Sequence, residues 1–314
     1  MDMTNTLPTV GWIGAGRMGT QLIKRLLKAG YDVAVYNRTK SKAEPLTEFG
    51  ATIVDSPVEL AGRDIVFAMV SASKDLEQVM LGDGGLLTDP DKAPKAIGDS
   101  STVSMEMSSK VRAAAEARGV GFLATPVSGN PKVISAGKLT VAASGPRDVY
   151  EYVEPLLRAW GRGVTYVGEG EAARIVKIAH NVFLGVVIQN MIEITLLAEK
   201  AGVKRSDFLE FLNDSVMGSP YSRYKSPALV NLDFKPTFTP VLLLKDLDLG
   251  LAAARELGVT MPVTAVTREM VATEVNAGNT EQDFASMVLR AAVAAGIDIK
   301  PENVDVNDGL DPES

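Results

Sequence analysis

The sequence predicts an α/β domain followed by an all-α domain built on a long central helix, and three observations predict it. A strand-like run, Thr9-Val10-Gly11-Trp12-Ile13, enters Gly14-Ala15-Gly16-Arg17-Met18-Gly19 and leaves as a helical pattern, Gln21-Leu22-Ile23-Lys24-Arg25-Leu26-Leu27. Strand-like and helix-like segments then alternate as far as Val167, the pattern of parallel strands joined by crossover helices. Beyond Val167 no strand pattern recurs. Instead Glu171 to Lys200 reads as a single helix with apolar residues around most of its circumference, and so as a buried one. The expected division is 1–168, 169–297 and a short acidic tail, 298–314.

The opening loop carries the first functional argument. Gly14 permits a tight turn, Gly16 has no side chain to obstruct a pyrophosphate, and Gly19 lets helix and strand pack closely. The helix that follows offers unpaired N–H groups and the positive end of its dipole. Strand before and helix after make this Gly-x-Gly-x-x-Gly a dinucleotide-binding signature, and the first domain a Rossmann-type one. Gly14, Ala15, Gly16, Arg17 and Met18 are its cofactor-binding residues. A second strand, Asp32 to Tyr36, ends at Asn37-Arg38-Thr39-Lys40. An NAD site usually places a carboxylate there, against the ribose 2′-hydroxyl. Neutral Asn37 followed by Arg38 and Thr39 suits a 2′-phosphate, which a guanidinium grips through paired charge-assisted hydrogen bonds. The expected cofactor is NADP(H) in preference to NAD(H).

Composition excludes several classes. The chain has 314 residues, 46% of them hydrophobic, enough for a substantial core. A net charge of −7 with scattered basic residues argues against nucleic acid and membrane surfaces as partners. With no cysteine and one histidine, neither a disulfide nor a metal site is expected. Met1 to Thr6 is polar and lacks the basic start of a signal peptide. The longest apolar stretch, Ile175 to Ala198, carries Lys177, His180, Asn181, Gln189, Asn190 and Glu193, a heavy polar load for a membrane span. A cytoplasmic protein is expected.

Further strands are expected at Ala51–Ile53, Asp64–Val70 and Ala96–Asp99, with a helix start at Ser56-Pro57 and a helix over Met105–Ala117. In an open parallel sheet the carboxyl ends of strands line the ligand crevice. That places Val70 and Ser71 at one rim and Ser101 and Thr102 at another, although Ser101-Thr102 serves equally well as a helix N-cap. Gly121 to Pro131 reads as a strand breaking into a loop rich in Pro, Ser, Gly and Asn. Leu139–Ala143 and Val164–Val167 complete the strands. In the long helix, Lys177, His180 and Asn181 share one face at i, i+3 and i+4. A lysine and an asparagine within so apolar a helix are costly unless paired or lining a wet cleft, which points to a site. Helices are expected at Arg205–Asn213, Pro240–Leu257, Pro262–Ala277 and Glu281–Ala295. The tail, with six acidic residues against one lysine and two prolines, reads as disordered or docked on a neighbour.

Four of these landmarks, in this order, resemble the β-hydroxyacid dehydrogenase family, which includes 3-hydroxyisobutyrate dehydrogenases, tartronate-semialdehyde reductases and glyoxylate/succinic-semialdehyde reductases. They are the glycine loop; Ala124-Thr125-Pro126-Val127-Ser128-Gly129-Asn130, similar to the family's Asp-Ala-Pro-Val-Ser-Gly-Gly substrate loop; Gly168 and Gly170 followed by Lys177 and Asn181; and Lys245-Asp246. The resemblance runs from about Val10 to Ala295. It departs at Ala124, at Asn130, whose side chain is expected to project towards the substrate, and at His180, where many members carry asparagine.

The resemblance implies reversible hydride transfer between the nicotinamide and C3 of a 3-hydroxy acid or semialdehyde, with a small anionic substrate. Lys177 becomes the general acid in reduction and the base in oxidation, a role that a partly buried lysine suits because burial lowers its pKa. Asn181 orients substrate and lysine. Ser128, Gly129 and Asn130 bind the substrate's acid group, and Thr102 and Lys245 touch the cofactor. His180 is read as a packed or supporting residue. Arg174, Lys132 and Arg223 are further groups able to meet an anion. The family also implies a homodimer or homotetramer through the helical domain, and NADP the reductive direction. The alternatives are an imine reductase of the same fold, or a catalytically silent NADP-binding module used for oligomerisation. Imine reductases generally lack both this lysine and the Pro-Val-Ser-Gly loop, and silent members have typically lost the lysine.

Overall fold

The computed structural model describes residues 7–310. The polar start, Met1 to Thr6, and the last four residues of the acidic tail lie outside the described residues. The chain forms two compact units, Met1–Lys177 and Ile178–Ser314.

The first unit runs β1 (Val10–Ile13), α1 (Arg17–Lys28), β2 (Val33–Tyr36), β3 (Thr52–Ile53), β4 (Ile65–Ala68), α2 (Ser73–Leu81), β5 (Ala96–Asp99), α3 (Met105–Glu116), β6 (Gly121–Ala124), β7 (Val127–Ser128), α4 (Pro131–Ser135), β8 (Thr140–Ala143), α5 (Arg147–Arg158) and β9 (Gly163–Tyr166). A six-stranded parallel sheet has the order β3-β2-β1-β4-β5-β6. Its direction of winding reverses between β1 and β4, the switch point at which open α/β sheets hold ligands. Strands β1, β4 and β5 are buried throughout, which explains their small and apolar sequences, broken only by Asp99 at the end of β5. Trp12, Phe67 and Trp160 cluster on one face, Trp160 set edge-on to the other two rings, with Phe67 and Trp160 ring centroids 4.7 Å apart. Leu22, Ile23 and Leu26 of α1 pack into the same core.

Three local expectations change. Ser56-Pro57 opens a single 3-10 turn, Pro57–Leu60, closed by a capping box with Glu59, rather than a longer helix. Val127 and Ser128, expected as loop, form β7, antiparallel to β8 in a second sheet ordered β7-β8-β9. The N-cap of α3 is Ser104, whose side chain accepts from Met107 N, so Ser101 is released for another role.

The long helix α6 (Ala172–Lys200) spans the division between the units. The second unit continues with α7 (Arg205–Asp214), α8 (Pro220–Asn231), α9 (Pro240–Leu257), α10 (Pro262–Asn276) and α11 (Met287–Ala294). Close contact of α6 with α9 requires small residues: a Cβ at Gly250 would stand 2.3 Å from the Val182 side chain. The core gathers Ile188, Ile192, Leu229, Leu243, Leu247, Val271 and Phe284. Helix α8 has no counterpart in the sequence reading, because Pro220 and Pro227 and a weak apolar pattern obscure it.

Helix α6 is not buried all round. Val176, Ala179, His180, Phe183, Asn190, Glu193 and Leu197 form an exposed stripe, with Phe183 68% and Leu197 71% accessible. It is the one described helix long and apolar enough to cross a membrane by length and composition. The described part of the tail is ordered against its own unit. Glu302 accepts from the Arg205 and Ser206 amides at the start of α7, and Asn231 exchanges hydrogen bonds with Val304. Ile297, Ile299 and Val306 pack on the helical core, and this apolar contact is what the acidic composition concealed.

Candidate active site

At the carboxyl end of β1 the chain turns at Gly14, whose φ of 104° favours glycine and whose Cβ would stand 2.2 Å from the Met69 carbonyl oxygen. A Cβ at Gly19 would stand 2.1 Å from the Gly14 oxygen, so α1 rests directly on the turn. Gly16 differs, since a Cβ there meets nothing within 4 Å. It forms the N-cap of α1 without a side-chain cap, and the first turn carries no acidic residue. Two glycines thus shape the loop and the third leaves room at a helix N-terminus, the arrangement that suits a dinucleotide pyrophosphate. Arg17 is exposed and Met18 half-buried at this rim.

Asn37 acts inward. Its Oδ1 accepts from Ala15 N at 2.9 Å and its Nδ2 donates to Thr39 O at 2.7 Å, tying the end of β2 to the glycine loop. Arg38 is 82% exposed and paired with Asp75, 3.0 Å away at the start of α2. Val70 lies beside Gly14 and donates its N–H to Ser101 Oγ at 2.9 Å, joining the ends of β4 and β5. Ser71 is exposed and Thr102 half-buried on the same edge.

In the loop after β6, Gly129 has a φ of 145°, and a Cβ would press to 2.8 Å on Val133 and Leu139. Asn130 does not project outward as expected. It is 8% exposed, and its Oδ1 caps α4 by accepting from Val133 N at 3.0 Å, so a helix N-cap explains its presence in place of glycine. Ala124 is wholly buried and exchanges backbone hydrogen bonds with Ser144, where a carboxylate would need its own partner. Ser128 is half-buried at the end of β7. Ser135 of α4 donates to Gln21 of α1, which keeps this loop beside the helix that opens the glycine site.

On α6, Lys177 is half-buried and ends the first unit. One turn on, Asn181 is 4% exposed and donates to Asp246 Oδ2 of α9 at 2.6 Å. Asp246, itself 2% exposed, lies 3.4 Å from Lys245 Nζ through its other oxygen. His180 is exposed rather than packed, with Nδ1 3.0 Å from Asn181 Oδ1. Of the other cations considered for an anion, Arg174 is buried in an ion pair with Asp99, and Arg223 is engaged by Asn213 O and Asp214. Lys132 is exposed.

Sequence reasoning did not assign roles to Asp99, Asp246 or the Arg174 pairing. The adjacency of Asp246 to Lys245 was visible, but its contact with Asn181, 65 positions away, was not.

Residues 9–168 match the model of the NAD binding domain of 6-phosphogluconate dehydrogenase, and residues 170–291 that of the NAD-binding domain of NADP-dependent 3-hydroxyisobutyrate dehydrogenase. The chain is 33% identical over 281 residues to an uncharacterized oxidoreductase, YfjR, of Bacillus subtilis, covering 88% of this chain and 97% of that protein. It is 32% identical over 281 residues to glyoxylate/succinic semialdehyde reductase 1 of Arabidopsis thaliana, covering 89% and 96%. The crystal structure of 3-hydroxyisobutyrate dehydrogenase from Salmonella typhimurium superposes with a TM-score of 0.80 at 26% identity, over 90% of this chain and all of that one. The glycine cradle, the helix carrying Lys177 and Asn181, and these likenesses together place the chain in the β-hydroxyacid dehydrogenase family of NAD(P)-dependent oxidoreductases.

Proposed function

We propose that the protein is an NADP(H)-dependent β-hydroxyacid dehydrogenase working as a semialdehyde reductase, with Lys177 as proton donor to the nascent alkoxide. The observation that carries this reading is the Asn181–Asp246 hydrogen bond. A buried carboxylate fixes the Asn181 amide one helical turn from Lys177, and such order has a purpose where a reacting group must be held. The reduced nicotinamide, when bound, supplies the hydride. Lys177 delivers the proton to the carbonyl oxygen and recovers it in the reverse direction. Asn181 has a second amide hydrogen to offer the substrate oxygen, while Ser128 and the N–H groups of Gly129 and Asn130 receive its acid group. Arg38 takes the 2′-phosphate of NADP, a reading supported by the neutral Asn37 beside it and by the Arg38 side chain's exposure.

The test is NADPH and NADH oxidation with a panel of small semialdehydes, glyoxylate and succinic semialdehyde included. Wild type, Lys177→Ala and Arg38→Ala are compared. Lys177→Ala is expected to lower kcat/KM by about 10²-fold or more, and Arg38→Ala to weaken NADPH selectively by about tenfold or more. Equal turnover by wild type and Lys177→Ala overturns the proton-donor role. Preference for cyclic imines would move the protein to the imine reductases, and tight NADPH binding without turnover would favour the silent module.

We also propose a homo-oligomer through the helical unit, supported by the exposed Phe183 and Leu197 of α6 and Val263 and Val266 of α10. Light scattering should give at least twice the 33.3 kDa chain mass, and Phe183→Glu should lower it. A monomeric wild type would refute this.

A further inference from the structure

We propose that Asp99 and Arg174 are a positioning pair: they seat the first turns of α6 on the carboxyl edge of β5 and thereby fix Lys177. This rests on the reading of Lys177 as proton donor.

Arg174 stands one helical turn before Lys177. It is 2% exposed and Asp99 is wholly buried. The guanidinium engages three acceptors from different parts of the first unit: Nη2 meets Asp99 Oδ2, Nη1 the Ser101 carbonyl, and Nε the Ser108 hydroxyl of α3 at 3.1 Å. A fork with three fixed acceptors has one docking geometry. Slipping α6 by one residue would rotate Arg174 by about 100° and lose all three.

Asp99 connects the seat to the cofactor edge. Its Oδ1 accepts from Ser101 Oγ at 2.6 Å, and that oxygen in turn accepts from Val70 N. One continuous chain of hydrogen bonds therefore links the catalytic helix to the ends of β4 and β5.

A second ring secures the helix start. Arg112 donates to the carbonyls of Gly170 and Phe122 and to Glu171 Oε1, each within 2.8 Å. Ser144 Oγ donates to Gly170 O and accepts from Ala173 N. Glu171 Oε2 lies 3.8 Å from Arg174 Nε, so two carboxylates and two guanidiniums balance in one largely buried group. Burying four charges is a poor way to gain stability alone, since apolar residues of similar volume often do as well. Their arrangement is a good way to impose one register.

The test compares Arg174→Lys, Arg174→Gln and the double variant Asp99→Asn/Arg174→Gln with wild type. Melting temperature, NADPH affinity and kcat are measured for the best semialdehyde. In parallel, acetylation of Lys177 by acetic anhydride is followed by mass spectrometry, with Lys24 as internal reference. Arg174→Lys keeps the charge balanced but loses the fork, and the double variant leaves no unpaired buried charge, so both are expected to fold. Both should lose kcat by about tenfold or more, with NADPH affinity little changed and Lys177 labelling altered relative to Lys24. Arg174→Gln alone should also lose stability. Wild-type kcat and wild-type Lys177 labelling in the folded variants would overturn the pair's positioning role. If wild type reduces no semialdehyde, the proposed function fails, and the labelling alone decides the positioning.

Discussion

At the end of β1 the protein places a ligand by leaving atoms out, whereas at the root of α6 it places a residue by burying charge. Gly14 and Gly19 each sit where a Cβ would collide with backbone, and Gly16 faces open space. Around Arg174 the same unit packs Asp99, Glu171, Arg112, Ser101, Ser108 and Ser144 into a connected polar group. The difference follows from what each region must do. A cofactor comes and goes, so its cradle must be rigid and empty. A helix that holds Lys177 as the proposed proton donor must not shift, and directional bonds hold register better than apolar packing does.

Three substitutions in the first unit sharpen this contrast, in descending order of expected effect. Gly19→Ala forces a methyl against the Gly14 carbonyl and should cost about 3 kcal/mol of stability in denaturant melts, with loss of cofactor binding. A variant as stable as wild type would show that the turn is not rigid. Gly16→Ala adds the same atom where nothing opposes it, so the melting temperature should hold. NADPH should nonetheless bind about tenfold more weakly, because the new methyl occupies the approach of the pyrophosphate. Unchanged affinity by fluorescence titration would argue against a pyrophosphate at this loop.

The smallest effect is expected at the opposite end of the sheet. Hydrogen bonds from Lys95, then from the Thr9 amide and hydroxyl, hold the Asp64 carboxyl at about 2 against its ordinary 3.8. Because the folded form binds the proton less readily, this stabilisation is present above pH about 4 and is lost as pH falls through about 2. Asp64→Asn should cost about 1 kcal/mol at neutral pH, reduced by solvent exposure of the pair, and this cost should vanish as pH falls well below about 2. Turnover should be unaffected. A stability difference that does not shrink as pH falls from about 4 towards 2 would mean that the carboxylate's charge is not its source.

How much was legible follows the range of each interaction. The glycine loop, the parallel strands and Lys177 one turn before Asn181 are local patterns, and the fold kept them. Boundaries shifted by a few residues where strands meet loops, as at β4, expected over Asp64–Val70 and observed over Ile65–Ala68. Helix α8 escaped because helix-start and helix-breaking residues coincide in it: Pro220 is harmless at the first turn, Pro227 lies inside, and the apolar pattern is weak. Ser219 followed by Pro220 and Ser222 was the available signal, since Ser219 and Ser222 form the capping box. The tail misled for a related reason. Its acidic residues set the composition, but Ile299 and Val306 find apolar partners and Glu302 two backbone amides.

The sequence by itself determined the parallel α/β architecture, the nucleotide loop and the helix that carries the lysine. Each depends on residues close along the chain, where steric and periodic rules act directly. Only the tertiary structure decided what the isolated polar residues do. The Asn130 side chain turned from an outward projection to a helix cap, and Arg174 from a candidate anion binder to a buried partner of Asp99. Asp246, 65 positions from Asn181, became its partner. A buried polar group must find a partner wherever the fold supplies one, and no local pattern reveals which residue that will be.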